Sequence, residues 1–304
     1  MRKKIKNKRR KLILCLIGIF ILSYKGYECY HNKIVQANKE VATSKAVSTN
    51  KESDIKIETK EKMMVNRSHN VNDEGKRYTY DVKKVKDILD NKGESDGKKI
   101  AFLTFDDGPS TTVTPKILDV LKAYNVKATF FLIGKSINSN EGSKNLVKRI
   151  FREGHALANH TYSHNYKSLY PENKINVDYL IEEVVKTNTA IKNIIGEHFN
   201  TRVLRMPGGY MSREYYKDPN LAELNNRLRD RDIYSIDWNA YDFDSEGKKK
   251  NAQELLEEVK KSVGTKEKVI ILMHDTYSKE ETAKALPQII EYLRNQGYEF
   301  KTLS

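Results

Sequence analysis

The chain has 304 residues, 55 of them Lys or Arg and 41 Asp or Glu, for a formal net charge of +14. That length accommodates one or two domains, and 38% hydrophobic residues with a mean hydropathy of −0.70 exclude both a fully membrane-embedded chain and a collagen-like one. The charge is uneven: Arg2, Lys3, Lys4, Lys6, Lys8, Arg9, Arg10 and Lys11 supply eight positive charges with no acid among them, and subtracting them from +14 leaves +6 for the rest. The basic character therefore belongs to a terminus that abuts an apolar run, and nucleic acid is not an expected partner.

Residues 1–11 read as a cytoplasmic basic tail and residues 12–24 as a membrane anchor or uncleaved signal sequence. The run Leu12 to Leu22 is short for a spanning helix but fits the apolar core of a signal sequence. Ser23-Tyr24-Lys25-Gly26-Tyr27 offers no small-x-small cleavage site, so retention is expected. The flanking cations should stay inside, which places the remaining chain outside the cell on a single-pass anchor in the cell membrane. Leu14 stands before Cys15 where lipidation needs a small residue, and Cys29 lies just beyond the run, so the two cysteines imply no disulfide within a domain.

Residues 25–97 are rich in Lys, Glu, Asn, Ser and Asp and poor in aromatic and branched apolar residues. Such a composition cannot bury enough apolar surface to offset its ordering entropy, and the segment reads as a flexible, largely disordered stalk. Val82, Val85, Ile88 and Leu89 predict one short helix within it, either packed on the folded domain or free of it. After Gly97 the pattern changes. Ile100–Phe105 reads as a buried strand, 115–124 as a helix with Thr114 as N-cap and Pro115 in its first turn, and Lys127–Gly134 as a second strand. Strands near Val203, at 233–236 and at 269–273 then alternate with helices at about 178–195, 252–262 and 281–296. This alternation predicts an α/β domain over 98–304 with a parallel sheet, open or closed into a barrel.

Polar residues gather at the ends of these strands, where such folds place their sites. Asp106 and Asp107 follow the first strand; two adjacent carboxylates there either cap a helix or serve chemistry. His160 and His164 would share one helical face if their segment is helical. Paired His with a carboxylate from elsewhere make a three-ligand metal site with a position left open. Arg205-Met206-Pro207-Gly208-Gly209, Asp237-Trp238 and Leu272-Met273-His274-Asp275 complete the set: a buried Arg can hold a carboxylate ionised, and a carboxylate beside a His raises its pKa.

In this order, with TFDDG at 104–108 and HTYSH at 160–164, these motifs resemble the polysaccharide deacetylase family with the NodB-homology domain, over about Lys98 to Ser304. The resemblance implies a distorted (β/α) barrel. It implies that Asp107, His160 and His164 bind one divalent metal, usually zinc, and that Asp106 is the base, paired with Arg205. By the same resemblance Asp237 orients His274, the acid that protonates the departing amine, while Trp238 and Leu272 form apolar walls. Many relatives carry Tyr after the Pro of the Arg-x-Pro motif; this chain has Gly208 there and its nearest Tyr at Tyr210, so the main-chain N–H remains for an oxyanion while the side chain's part in the sugar cleft changes. The implied function is removal of N-acetyl groups from N-acetylglucosamine of a cell-surface glycan, first of all peptidoglycan. The alternatives are another polymer (poly-N-acetylglucosamine, chitin fragments, acetylated xylan) and a non-catalytic wall-binding protein. No protein partner is implied.

Overall fold

The apolar run after Gly97 forms β2 (Ile100–Gly108), buried from Ile100 through Asp106 as befits a strand covered on both faces. Residues 69–304 apart from position 94 are described in the computed structural model of the protein, and all lie in the unit Asn66–Ser304. β2 pairs in parallel with β3 (Thr129–Leu132) on one side and β8 (Lys268–His274) on the other, while β9 (Glu299–Phe300) joins its first residues. With β4 (Ala156–Asn159), β5 (Val203–Leu204), β6 (Tyr234–Ser235) and β7 (Ala240–Tyr241), the sheet runs β6-β5-β4-β3-β2-β8-β7.

Chain connectivity dictates the curvature of this sheet. β6 and β7 lie at opposite ends of the order, and in a flat sheet six steps of about 4.8 Å would hold them roughly 29 Å apart. Residues 236–239, fully extended, can bridge roughly 17 Å. The sheet must therefore curl until its edges approach, and among the described residues no pairing between β6 and β7 closes it. The result is the expected distorted (β/α) barrel, left open on one side.

Alternate residues of β2 enter different cores, as the pleat requires. Ala101, Leu103 and Phe105 join the layer beneath the outer helices, with Leu118 and Leu121 of α2 (Thr114–Ala123) and Leu286 and Ile290 of α10 (Glu280–Asn295). Ile100 and Phe102 point into the barrel with Phe131, Ile236 and Ile270. A third cluster lies under α6 (Val177–Ile195) and α8 (Leu221–Arg229), where Leu180 and Val184 meet Leu224 and Leu228. Between these elements run α3 (Gly134–Ile137), α4 (Glu141–Arg152), α5 (Tyr166–Leu169), α7 (Tyr210–Tyr215) and α9 (Ala252–Val263).

Two expectations need correction. Part of the expected stalk is packed: β1 (Thr79–Tyr80) pairs with β10 (Thr302–Leu303), α1 (Val82–Leu89) buries Val82 and Val85 in the barrel core, and Asn70 bonds to Leu157 and Leu303. A few apolar side chains spaced along a polar segment are enough to dock it, which average composition hides. Thr114 is not the N-cap of α2: Ser110 Oγ accepts from the amides of Val113 and Thr114, at 3.0 and 3.4 Å. Thr114 instead gives its hydroxyl to Asp275 at 2.6 Å. No helix among the described residues is long and apolar enough to cross a membrane. The expected anchor at 12–24 and residues 25–68 of the expected stalk lie outside the described residues.

Candidate metal centre and active site

Adjacent residues of a regular strand point to opposite faces, so Asp106 and Asp107 could not both serve one site without a distortion. The distortion is present. The register of β2 against β3 shifts between Asp106 and Gly108, and Asp107 takes a left-handed φ of 70°, a bulge that re-aims its side chain. Asp107 Oδ1 then lies 3.3 Å from His160 Nε2 and 3.4 Å from His164 Nε2, with Asp106 Oδ2 3.8 Å from His160 Nε2.

The two histidines do not ride on a helix, so the condition for a shared helical face is not met. His160 directly follows β4, and the segment to His164 is a loop in which Thr161 and His164 have φ of 64° and 54°. Buried side chains hold this conformation. Asn159 Oδ1 accepts from the Thr161 amide, and Glu183 on α6 accepts from the amides of Tyr162 and Ser163 and from the Ser163 hydroxyl. Sequence reading missed Glu183, whose signal is an acid on the buried face of a helix otherwise lined by Leu180, Val184 and Thr187.

His160 Nδ1 donates to the Arg205 carbonyl at 2.7 Å, so its Nε2 lone pair faces the carboxylates. The ligand atoms of Asp107, His160 and His164 lie within 4.8 Å of one another, and the buried Asp107 Oδ1 has no hydrogen-bond partner. A buried carboxylate oxygen left for two imidazole lone pairs fits a divalent cation. Burial works against the charge of Asp107, but His160, His164 and His274 hold its carboxyl well below the usual carboxylate range.

Arg205, fully buried after β5, binds Asp106 Oδ1 and Thr104 Oγ1 through Nη1, both at 2.8 Å. Its guanidinium stacks 4.1 Å from the Phe131 ring and 5.6 Å from Trp238, and it donates to the carbonyls of Ile236 and Asp237. With Oδ1 so engaged, Asp106 presents Oδ2 to the histidine cluster. His274 stands in register with Asp106 on the neighbouring strand, and Leu272 lies on the same face.

The partner of His274 is Asp244, not Asp237. Asp244 Oδ1 sits 2.6 Å from His274 Nδ1 and Oδ2 accepts from its main-chain amide, while Lys279 and Thr282 hold the Asp244 segment. Burial depresses the basicity of His274, but Asp244 outweighs it and raises the imidazole to about 9. Asp237 instead accepts from the amides of Tyr210 and Met211 at 2.8 and 2.6 Å and so fixes the first turn of α7. Tyr210 is likewise not at the site: it is buried in the cluster under α6 and α8, with its hydroxyl on Asn225 and Lys86 over its ring. At Gly208, φ is 76° and a Cβ would come within 2.7 Å of the Tyr166 hydroxyl. Tyr166, which sequence reading passed over, thus stands above the glycine.

Residues 93–226 match the polysaccharide deacetylase family. The chain is 37% identical over 207 residues to a bifunctional xylanase/deacetylase of Pseudobutyrivibrio xylanivorans, covering 68% of this chain but only 30% of that protein. It is 31% identical over 213 residues to a peptidoglycan-N-acetylglucosamine deacetylase of Bacillus cereus, covering 68% of this chain and 87% of that one. Among solved structures, a Streptococcus mutans CE4 esterase superposes with a TM-score of 0.70 at 36% identity, over 77% of this chain and 96% of the esterase. Shared identity over most of a relative's length, together with a common fold, establishes that this chain belongs to the polysaccharide deacetylase family.

Proposed function

We propose that the protein is a metal-dependent hydrolase that removes acetyl groups from N-acetylglucosamine residues of peptidoglycan. The observation that carries this reading is the convergence of Asp107 Oδ1 with the Nε2 atoms of His160 and His164 beside a second, separate pair, His274 and Asp244. One aspartate and two imidazoles suit zinc. A bound ion would supply Lewis acidity toward the amide carbonyl and toward the attacking water. Asp106, its Oδ1 tied to Arg205, takes a proton from that water at Oδ2. As the C–N bond breaks, His274 gives a proton to the leaving amine from Nε2, its Nδ1 being turned to Asp244. The products are acetate and a free amino sugar. The main-chain N–H of Gly208 is the proposed oxyanion donor, and Trp238 and Leu272, both half-buried, are the proposed apolar walls.

Export on residues 12–24, with the catalytic domain outside the cell membrane, belongs to the same proposal and rests on the basic tail and the apolar run. The similarity to a bifunctional xylanase/deacetylase supports acetylated xylan as a second reading of the substrate. Acetate release from purified peptidoglycan and from acetylated xylan, each with added zinc and with chelator, decides between them. Zinc-dependent release from peptidoglycan is expected; release from xylan alone would transfer the activity to that polymer, and release from neither, with zinc bound, would remove both polymers as substrates.

A further inference from the structure

A run of aromatic rings leads away from the histidine cluster. The His164 ring meets Tyr166 at a centroid distance of 5.5 Å, and Tyr166 meets Tyr170 at 5.6 Å. The Arg213 guanidinium lies 4.4 Å from the Tyr170 ring and 5.1 Å from Tyr216, and Tyr216 meets Tyr215 at 5.3 Å. The members alternate in role. Tyr166, Tyr216 and Tyr215 are 48%, 55% and 81% exposed, whereas Tyr170 and Arg213 are buried beneath them.

The buried members are fixed by polar contacts. Tyr170 donates its hydroxyl to the Pro207 carbonyl at 2.9 Å, and Arg213 donates to Asn173 and lies 3.9 Å from Asp218. These fixed side chains support the exposed rings, Tyr170 against Tyr166 and Arg213 against Tyr216. Large aromatic rings left exposed along one line of contacts mark a contact surface. Its continuity with His164 identifies the occupant: whatever lies on the strip is the extension of the molecule that reacts at the cluster. Tyrosines offer flat apolar faces for the C–H faces of sugar rings, with hydroxyls at their rims for sugar hydroxyls.

We infer that Tyr166, Tyr216 and Tyr215 form a glycan-binding strip that seats the sugars flanking the reacting residue, so that the protein selects polymers over short oligosaccharides. The inference rests on the deacetylase reading for the identity of the reacting sugar, but its test separates the two. The full chain and its Tyr215→Ala/Tyr216→Ala variant are assayed with zinc on N-acetylglucosamine oligosaccharides of increasing length and on a small aryl acetate ester. Binding of the same oligosaccharides to the zinc-free proteins is followed by intrinsic fluorescence.

Affinity should rise with length in the parent and rise less in the variant, which keeps only Tyr166 of the strip. KM on long oligosaccharides should increase about 3- to 10-fold, a factor typical of one aromatic contact, with kcat and hydrolysis of the small ester unchanged. Length-dependent binding without any turnover would uphold the strip while removing the catalytic reading. Equal length dependence in the two proteins, or binding of no oligosaccharide while the ester is hydrolysed, would overturn the strip. Loss of ester hydrolysis in the variant would also overturn it, by showing that these tyrosines act through the fold.

Discussion

His274 is half-buried, which alone would make its imidazole harder to protonate; the hydrogen bond and charge of Asp244 reverse that and bring it to about 9. An acid catalyst is active in its protonated form, so activity should persist below that value and fall as pH rises through it. Replacing Asp244 by Asn should move the alkaline limb down by roughly two pH units or more, toward or below the ordinary histidine value near 6.5. Replacing Asp237 by Asn should leave the limb in place while weakening α7. A pH–rate profile of each variant decides, and an unmoved limb in Asp244→Asn removes Asp244 from this role. Metal affinity provides a second check: His164→Ala should lose at least about tenfold in zinc binding measured by calorimetry, with the apolar core leaving the thermal transition of the metal-free protein nearly unchanged. Undiminished affinity would mean that the ligands are misassigned. The site's residue types were legible in TFDDG and HTYSH because their chemistry is local in sequence. The His274 partner was not: Asp237-Trp238 follows β6 while Asp242-Phe243-Asp244 follows β7, and only the pairing of β7 with β8 brings Asp244, rather than Asp237, beside His274.

At the scale of elements, α1 tests how a polar segment becomes part of a domain. Asp81 caps it by accepting from the Lys84 amide, and its apolar residues 82 and 85 reach the barrel core with no exposed surface. Fully burying a Val side chain contributes roughly 1.5–3 kcal/mol, so the two together stabilise the domain by at least about 3 kcal/mol before β1 and its pairing are counted. A chain beginning at Lys98 should therefore unfold at markedly lower denaturant than one beginning at Asn66, and limited proteolysis should spare the segment after residue 69. Equal midpoints would show the packing to be incidental. The period of the apolar residues made α6, α9 and α10 legible, and consecutive apolar residues did the same for β2 and β8. β4 escaped because Ala156-Leu157-Ala158-Asn159 is short and lacks β-branched residues, and α8 because its charged sequence buries only Leu224 and Leu228. The His160–His164 spacing left the segment's conformation open, and two left-handed residues and the Glu183 anchor make it a loop.

For the molecule as a whole, two buried titratable groups, one by Ala128 before the start of β3 and one by Gly108 at the end of β2, pull stability in opposite directions with pH. His155 lies against Phe130 and accepts from the Ala128 amide at Nδ1; its Nε2 is unpartnered, with Glu153 Oε2 at 4.0 Å and the other oxygen engaged by Arg149. Burial, reinforced by Lys127 and Arg149, lowers it to about 3. The unfolded chain takes up this proton near 6.5 while the folded one does not, so its contribution is present above about 6.5 and is lost as pH falls toward 3. Asp275 is buried beside Gly108, accepts from Thr114, and is raised to about 7 by burial and by the charges of Asp107 and Asp106. Its contribution is present below about 3.9, the unfolded value, and is lost as pH rises through 7. Between pH 4 and 7 each amounts to about 3 kcal/mol, since every tenfold change in proton affinity between the folded and unfolded chains corresponds to about 1.4 kcal/mol, and the two nearly cancel. Asp275→Asn keeps the acceptor for Thr114 but cannot titrate, so stability of the metal-free variant should climb with pH by about 3 kcal/mol more than that of the parent across this range. His155→Asn, which keeps an acceptor for the Ala128 amide, should tilt the profile the other way. Urea unfolding of the three proteins with chelator, from pH 4 to 7, measures both slopes, and parallel profiles would show that neither group is protonated differently in the folded and unfolded chains.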